Sequence, residues 1–302
     1  MPSTYLDVLQ YTRGPHGIAG LSAYYANVFR LPSIQAANVL RMTVPSTAIT
    51  SQLNPYDTLS LFDGLNSEVV QVAQVTPPGA TSIQLVNPTQ FLHSAGVLCC
   101  SDGTQGSLAQ QIFTASQWVE DICYQSLWVS TYSGEILSMP TMRAAIDEQG
   151  ILWFRPRHFP ITALSSITLQ TTNLTTMSFD PTQAIIDGDR QLVQIPNLQG
   201  LTGSGTPSQF ALQQGPPISR STKATLTITY NSGYNPLPST VIRAASLLVN
   251  QCFVQLTNSI GADQAQEGKR NITFTLRGDQ SGESLLVKEA VRLLTPYIVE
   301  AA

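Results

Sequence analysis

Ile228-Thr-Tyr-Asn-Ser-Gly-Tyr-Asn-Pro-Leu-Pro238 is the stretch on which the reading of this chain turns. The residues leading into it, Thr222 to Tyr230, alternate apolar and polar, which is the period of a half-buried strand. The residues after it step by three and four, so that Val241, Ala244, Ala245, Leu248, Cys252 and Leu256 share one side of a helix. Between the two, Gly233 allows a bend that a β-branched residue would resist, and Pro236 with Pro238 stiffens the approach to the helix. Ser239 stands where an N-cap is wanted, and Tyr230 and Tyr234 can pack across the bend. A chain that runs from sheet directly into helix in this way belongs to the α+β class.

Outward from the corner, 135–230 reads as strands and turns. Asp147-Glu-Gln-Gly150 and Asp187-Gly188 are turn sequences, with strands expected at Ile151-Leu-Trp-Phe154 and from Ile161 to Leu169. Gly200-Leu-Thr-Gly-Ser-Gly-Thr-Pro207 is loop-forming. A helix is expected over about 107–129, capped by Ser107. Its stripe is Leu108, Ile112, Ala115, Val119 and Ile122, widened by Trp118 and Tyr124. Downstream, helices are expected over about 239–258 and 283–295. The second follows Gly278 and Gly282, carries Leu285, Leu286, Ala290, Leu293 and Leu294, and stops near Pro296, which lacks the N–H a helix interior needs.

The N-terminal third is different. From Ile34 to Asp102 short runs such as Glu68-Val-Val-Gln-Val-Ala-Gln-Val75 and Ser82-Ile-Gln-Leu-Val86 are punctuated by Asp63-Gly64 and Pro77-Pro-Gly79. That is the pattern of an all-β domain, a small sandwich or barrel. Residues 1–33 have poor periodicity and read as an arm or a short docked helix. The expected division is therefore an arm (1–33), a β domain (34–102), and a helical domain (103–302) with a β-rich insertion (135–230).

Of 302 residues, 42% are hydrophobic and only 11% charged, against roughly 25% charged in an average soluble protein. Lys+Arg is 15 and Asp+Glu 19, a net charge of −4. No basic block could neutralise a run of phosphates, which argues against sequence-independent nucleic-acid binding. The polar surface comes from Ser, Thr, Gln and Asn, which suits subunits packed against one another. Met1 to Gln10 carries neither the basic nor the apolar region of a signal peptide. No uncharged apolar run approaches the ~20 residues of a membrane span.

Catalytic and metal patterns are missing, so no enzyme, metal or cofactor is expected. His16, His93 and His158 lie far apart in no ligand spacing, and are expected in loops or at strand ends. Asp187-Gly-Asp189 lacks the other oxygens of a calcium loop. Gly203-Ser-Gly205 lacks the third glycine of a dinucleotide site. Glu120-Asp121 and Asp147-Glu148 read as solvated charges. The cysteines Cys99, Cys100, Cys123 and Cys252 form no C-x-x-C pair and are expected free.

The order of the segments, from Ala115-Ser-Gln-Trp-Val-Glu120 with Cys123-Tyr124, through the loop from Arg155-Pro156 to Phe159-Pro160 and the corner at Tyr230 to Pro238, to Glu289-Ala-Val-Arg-Leu-Leu-Thr-Pro-Tyr297, resembles the head–tail connector (adaptor) family of tailed bacteriophages. The resemblance spans about residues 108–297. It implies a structural virion protein of the neck, assembled in the host cytoplasm, that forms a closed ring of roughly twelve copies beneath the portal protein. A tail-side stopper or tail-terminator protein would bind the ring, and DNA would pass through it without specific binding. The family is usually a short chain, so the N-terminal β domain is an addition, with the capsid or a fibre as its expected partner. Arginine often follows the final Pro-Tyr in the family, where this chain has Ile298-Val-Glu300. Pro296, Tyr297, Ile298 and Val299 are the expected portal contacts, because they are apolar and nothing follows to cover them. Two other functions fit the composition: another tail, neck or decoration protein, and a carbohydrate-binding β protein using Trp128 or Trp153.

Overall fold

The computed structural model describes residues 3–14, 17, 25–102, 108–147, 151–171, 176–188, 191–195, 223–264 and 285–299. They form a mixed α+β protein with four small antiparallel sheets. The chain divides into two compact units, Met1–Tyr124 with Leu237–Ile298, and Gln125–Pro236 with Val299–Ala302. The main boundaries fall at 124/125 and 236/237. Ser107, the tip of the 147–150 turn beyond Asp147, the 200–207 loop, Gly278 and Gly282 lie outside the described residues.

The first unit begins with the short helix α1 (Val8–Arg13) and continues as strands β1 (Tyr25–Arg30), β2 (Arg41–Thr43), β3 (Thr58–Phe62), β4 (Glu68–Gln71), β5 (Ser82–Gln84) and β6 (Leu98–Asp102). One sheet has the order β1-β6-β3-β4, and β2 pairs with β5. A bridge between Val72 and Leu85 continues the pairing from the end of β4 to the end of β5. Alternation does what the sequence pattern requires: Met42, Leu59, Leu61, Val70, Val72, Ile83 and Leu85 point into one core. Gly64 (φ 55°) and Gly79 (φ 80°) supply the left-handed residues at the two turns.

β1 lies within the stretch expected to be an arm, yet it is the edge strand of the sheet. Its pairing with β6 shifts register between Ala26 and Phe29, and Asn27 sits in the bulge at φ 49°. The Asn27 side chain accepts from Thr50 N (2.8 Å) and Ser51 N (2.9 Å), and donates to Ser51 O (3.1 Å). An amide fixed in this way interrupts the period-two pattern by which a strand is recognised.

Three longer helices complete the first unit: α2 (Leu108–Cys123), α3 (Ser239–Gln264) and α4 (Leu285–Leu294). α2 buries Leu108, Ile112, Ala115, Val119 and Cys123. It stops well before 129 because Tyr124 takes φ 55°, a left-handed conformation that ends a helix. Tyr124 is exposed and widens no stripe. Ser239 is the first helical residue of α3 rather than its cap, since Val241 N and Ile242 N both donate to the Pro238 carbonyl. α3 packs on α4, and the N-terminal segment is stitched across the layer. Tyr5 N donates to Ser116 Oγ (3.2 Å), Tyr5 OH to Glu120 (2.9 Å), and Tyr11 OH to Asn250.

The second unit contains β7 (Ser130–Met139), β8 (Ala144–Ile146), β9 (Leu152–Phe154), β10 (Ile161–Thr171), β11 (Thr176–Phe179), β12 (Ile185–Asp187), β13 (Leu192–Ile195) and β14 (Ala224–Ser232). Its sheets have the orders β11-β10-β14-β7 and β12-β13-β9-β8. They share a core that includes Leu137, Leu152, Phe154, Ile167, Leu169, Val193, Leu226, Ile228 and Tyr230. The ends of the unit meet: Ser130 pairs with Ser232, and Tyr234 N donates to Leu127 O (2.8 Å). Gly233 lies between these contacts at φ 131°, where a Cβ would stand 2.3 Å from the Trp128 carbonyl oxygen. Both conformation and space therefore exclude a side chain. Gly233→Ala is expected to cost roughly 2–4 kcal/mol, well above the usual glycine-to-alanine effect. Chemical denaturation followed by tryptophan fluorescence measures this, with Gly188→Ala, where nothing lies within 4 Å of the added carbon, as the control.

Candidate functional site

Three places gather the residues singled out by the sequence. The first is the C-terminal turn. α4 runs into a single 3-10 turn, Thr295–Tyr297, that contains Pro296. Tyr297 OH and Thr240 Oγ1 lie 2.6 Å apart, which ties the turn to the first residues of α3. Pro296 is exposed, whereas Tyr297, Ile298 and Val299 are half-buried rather than bare. Glu289 on α4 receives Arg292 in a two-bond pair (2.7 and 2.8 Å) and lies 3.9 Å from Arg243 of α3. These charges are exposed, so α4 is held chiefly by its apolar face, where Ala290 and Leu294 are buried.

The second is His93, expected at a turn or strand end and found fully buried in the first unit. Its Nδ1 lies 2.9 Å from Asp63 and its Nε2 2.7 Å from Glu68. Asp63 follows β3, Glu68 opens β4, and His93 pairs with Gln35 in a bridge. Glu68 also accepts from Gln90 N (2.9 Å) and from Phe91 N (3.4 Å). An imidazole can donate from both nitrogens only as the cation. Burial alone disfavours that form, but the bonds and negative charges of Asp63 and Glu68 outweigh it and raise the pKa from 6.5 to about 9. Nothing reaches the ring from solvent, so the cluster is a clasp, not a base.

The third lies in the second unit, around Glu135 of β7. One carboxylate oxygen accepts from Arg143 Nη2 (2.6 Å) and Arg157 N (3.0 Å), and the other from Tyr230 OH (2.5 Å). His158 was expected exposed in a loop. It is half-buried, stacked on the Tyr132 ring with centroids 3.8 Å apart, and its backbone N–H donates to Tyr230 OH (3.2 Å). Burial lowers the His158 pKa, and Arg157 and Arg143 lower it further against the opposing charge of Glu135. Burial, then the bond and charge of Glu135, push the Tyr230 phenol well above its usual range. The neutral imidazole and un-ionised phenol form a scaffold that positions the loop from Arg155 to Pro160.

The remaining candidates are dispersed. Glu120, expected in solvent, is anchored by Ser3 and Tyr5. Asp147 accepts from Ile151 N (2.8 Å). All four cysteines are free and buried. Burial raises the Cys123 thiol to about 12 and the Cys252 thiol to about 11, too high for thiolate chemistry. Trp118, Trp128 and Trp153 are each half-buried on different elements. Trp153 pairs with Ala145 and Gln194 inside a sheet. Among the described residues no group of His, Cys, Asp or Glu is arranged to hold a metal. Among the described residues no helix is long and apolar enough to cross a membrane. His16, Asp189 and the 203–205 glycines lie outside the described residues.

The clasp makes a signed prediction. A histidine whose folded pKa is raised from 6.5 to about 9 contributes stability that is complete below pH 6.5 and lost as pH climbs through 9. Its size is about 3 kcal/mol. The stability gap between wild type and His93→Gln, read from urea midpoints, should narrow steadily from pH 6 to pH 10. A constant gap would show that the ring is not charged. In the second unit, Tyr230→Phe leaves Glu135 short of one donor and should cost about 1–3 kcal/mol. Hydrogen exchange should quicken in β7 and β14 and stay unchanged in β3 and β6. No family model matches the chain, and no curated protein matches it.

Proposed function

We propose that the protein is a structural component of a phage virion, a head–tail connector that forms a ring beneath the portal and carries the tail-side stopper or terminator. The observation that carries the proposal is the corner from Tyr230 to Pro238. After strand β14 the chain passes through Gly233 and leads straight into α3, and α3 packs against both α2 and α4, which are the segments that hold the resemblance. The sparse charge of the chain supports the same conclusion, because subunits without dense surface charge approach one another without stripping water from ions.

The β layer of the first unit exposes Ile34, Tyr56 and Leu92, which fits a contact with capsid or fibre. On this proposal the turn Thr295–Tyr297 serves as a pre-positioned portal contact. It is already ordered by Thr240, so docking costs little entropy. DNA would pass through the ring past a chain of net charge −4, without specific binding.

Native mass spectrometry of the purified protein, alone and with the portal protein of the same phage, tests the proposal. A multi-copy ring, preformed or formed on the portal, is the expected outcome. A monomer that ignores the portal would remove the connector and leave another virion role. Truncation after Leu294 should keep the fold and the ring but abolish portal attachment, and undiminished attachment would exclude the turn as the contact.

A further inference from the structure

The segment Ser3–Tyr11 of the first unit has little regular structure of its own, yet Ser3, Thr4, Tyr5, Leu6, Val8 and Tyr11 are all buried. Its bonds reach partners far along the sequence, on both the helical and the β side of the unit. Towards the helices, Tyr5 N donates to Ser116, Ser3 Oγ and Tyr5 OH to Glu120, and Tyr11 OH to Asn250. Towards the strands, Thr4 N donates to Gly64 O (2.8 Å), and Thr4 Oγ1 lies 2.6 Å from Ser67 Oγ. α1 spans six residues, too short to hold itself as a helix in water. The segment therefore depends on the groove that receives it.

The turn that Thr4 grips also belongs to the His93 clasp. Asp63 and Glu68 hold the two ring nitrogens. Between them, Ser67 Oγ accepts from Asp63 N (2.9 Å) and donates to Gly64 O (2.8 Å). Thr4 thus contacts the same hydroxyl and the same carbonyl that fold the turn and set the spacing of its carboxylates. Asp63 and Glu68 are the charged groups that act on the ring. The segment's own Asp7 caps α1, and Glu120 of α2 is taken by Ser3 and Tyr5. Without a cation between them, Asp63 and Glu68 repel across the turn and favour a wider one.

We propose that Ser3–Tyr11 is a latch whose docking is coupled, through the 63–68 turn, to the contact of His93 with its two carboxylates. Docked, the latch fastens the β layer of the first unit to α2 and α3. Undocked, it frees the turn and uncovers the surface beneath Leu6 and Val8. Phe62 stacked on Phe113, with centroids 5.7 Å apart, still joins β3 to α2, so opening is local and costs less than global unfolding. Such coupling is reciprocal: what loosens the clasp loosens the latch, and what weakens the latch loosens the clasp. Every contact lies within one copy, so the inference is independent of the ring proposed above.

Hydrogen exchange of the full-length protein, expressed as protection factors corrected for the intrinsic rate at each pH, tests the coupling. His93→Gln is expected to lower protection over residues 3–13 by about tenfold or more, and to leave 241–253 and 285–294 unchanged. Ile83→Ala, which opens the same β core without touching the clasp, is the control and should leave 3–13 protected. In the wild type, burial opposes the His93 charge, but the two carboxylates outweigh it and keep the ring charged to about pH 9. Protection of 3–13 should therefore hold from pH 6 to pH 8 and fall as pH rises through 9. The reverse arm is Thr4→Val, which weakens the latch at its contact with the turn. The His93 titration, followed by NMR of the ring, should then move from about 9 toward 6.5. If His93→Gln fails to fold, the pH series and Thr4→Val decide by themselves. Equal protection of 3–13 in His93→Gln and Ile83→Ala, protection that stays constant through pH 9, or a His93 titration unmoved by Thr4→Val each overturns the coupling.

Discussion

The closure at Trp128 and Gly233 is the constraint on which the second unit depends. An insertion between two helices must bring its ends together, and the entropy of that closure grows only slowly with the length inserted. Here the ends become neighbouring strands. β7 starts at Ser130 opposite Ser232 of β14, and Trp128 forms a further bridge to Tyr234. The ladder that closes the loop is thus the edge pair of the sheet, and β10 adds to β14 on its other side. Only glycine fits the point where the Gly233 and Trp128 backbones touch. That gives the glycine of the corner a reason independent of any resemblance.

A chain with only 11% charged residues has few to place, and water is the cheapest place for each. Several are instead spent inside. His93 lies between Asp63 and Glu68, and Glu135 binds Arg143, Tyr230 and the Arg157 backbone. Buried ions gain little stability when paired and cost much when a partner is lost. Their effect is to penalise alternatives. A one-residue slip of β4 against β3 would turn Glu68 outward and leave a histidinium without its second carboxylate. Short strands such as β4 and β5 have few ladder bonds to set register, and the clasp supplies what they lack.

Much of this fold was legible, and for local reasons. Gly64 and Gly79 announced turns because the chain must go left-handed there, and the stripe of α2 announced its buried face. What escaped reading depends on partners distant in sequence. His93 finds carboxylates 30 and 25 residues away, and His158 meets a phenol 72 residues away. No spacing rule connects such residues. β1 escaped because the bulge at Asn27 breaks its alternation. The end of α2 escaped because Tyr124 adopts positive φ without being glycine or asparagine. The C-terminal turn was legible as a break at Pro296, but not the bond from Tyr297 to Thr240 that covers it.

The outer face of the β11-β10-β14-β7 sheet shows where the uncharged polar residues go. Across one row of paired residues it presents Ile136, Thr227, Thr168 and Ser178, and across the next Ser138, Thr225, Gln170 and Thr176. Every one of these is neutral. Hydroxyls and amides hydrate well, yet they neither attract nor repel at a distance, so such a face permits close packing without choosing a partner or an orientation.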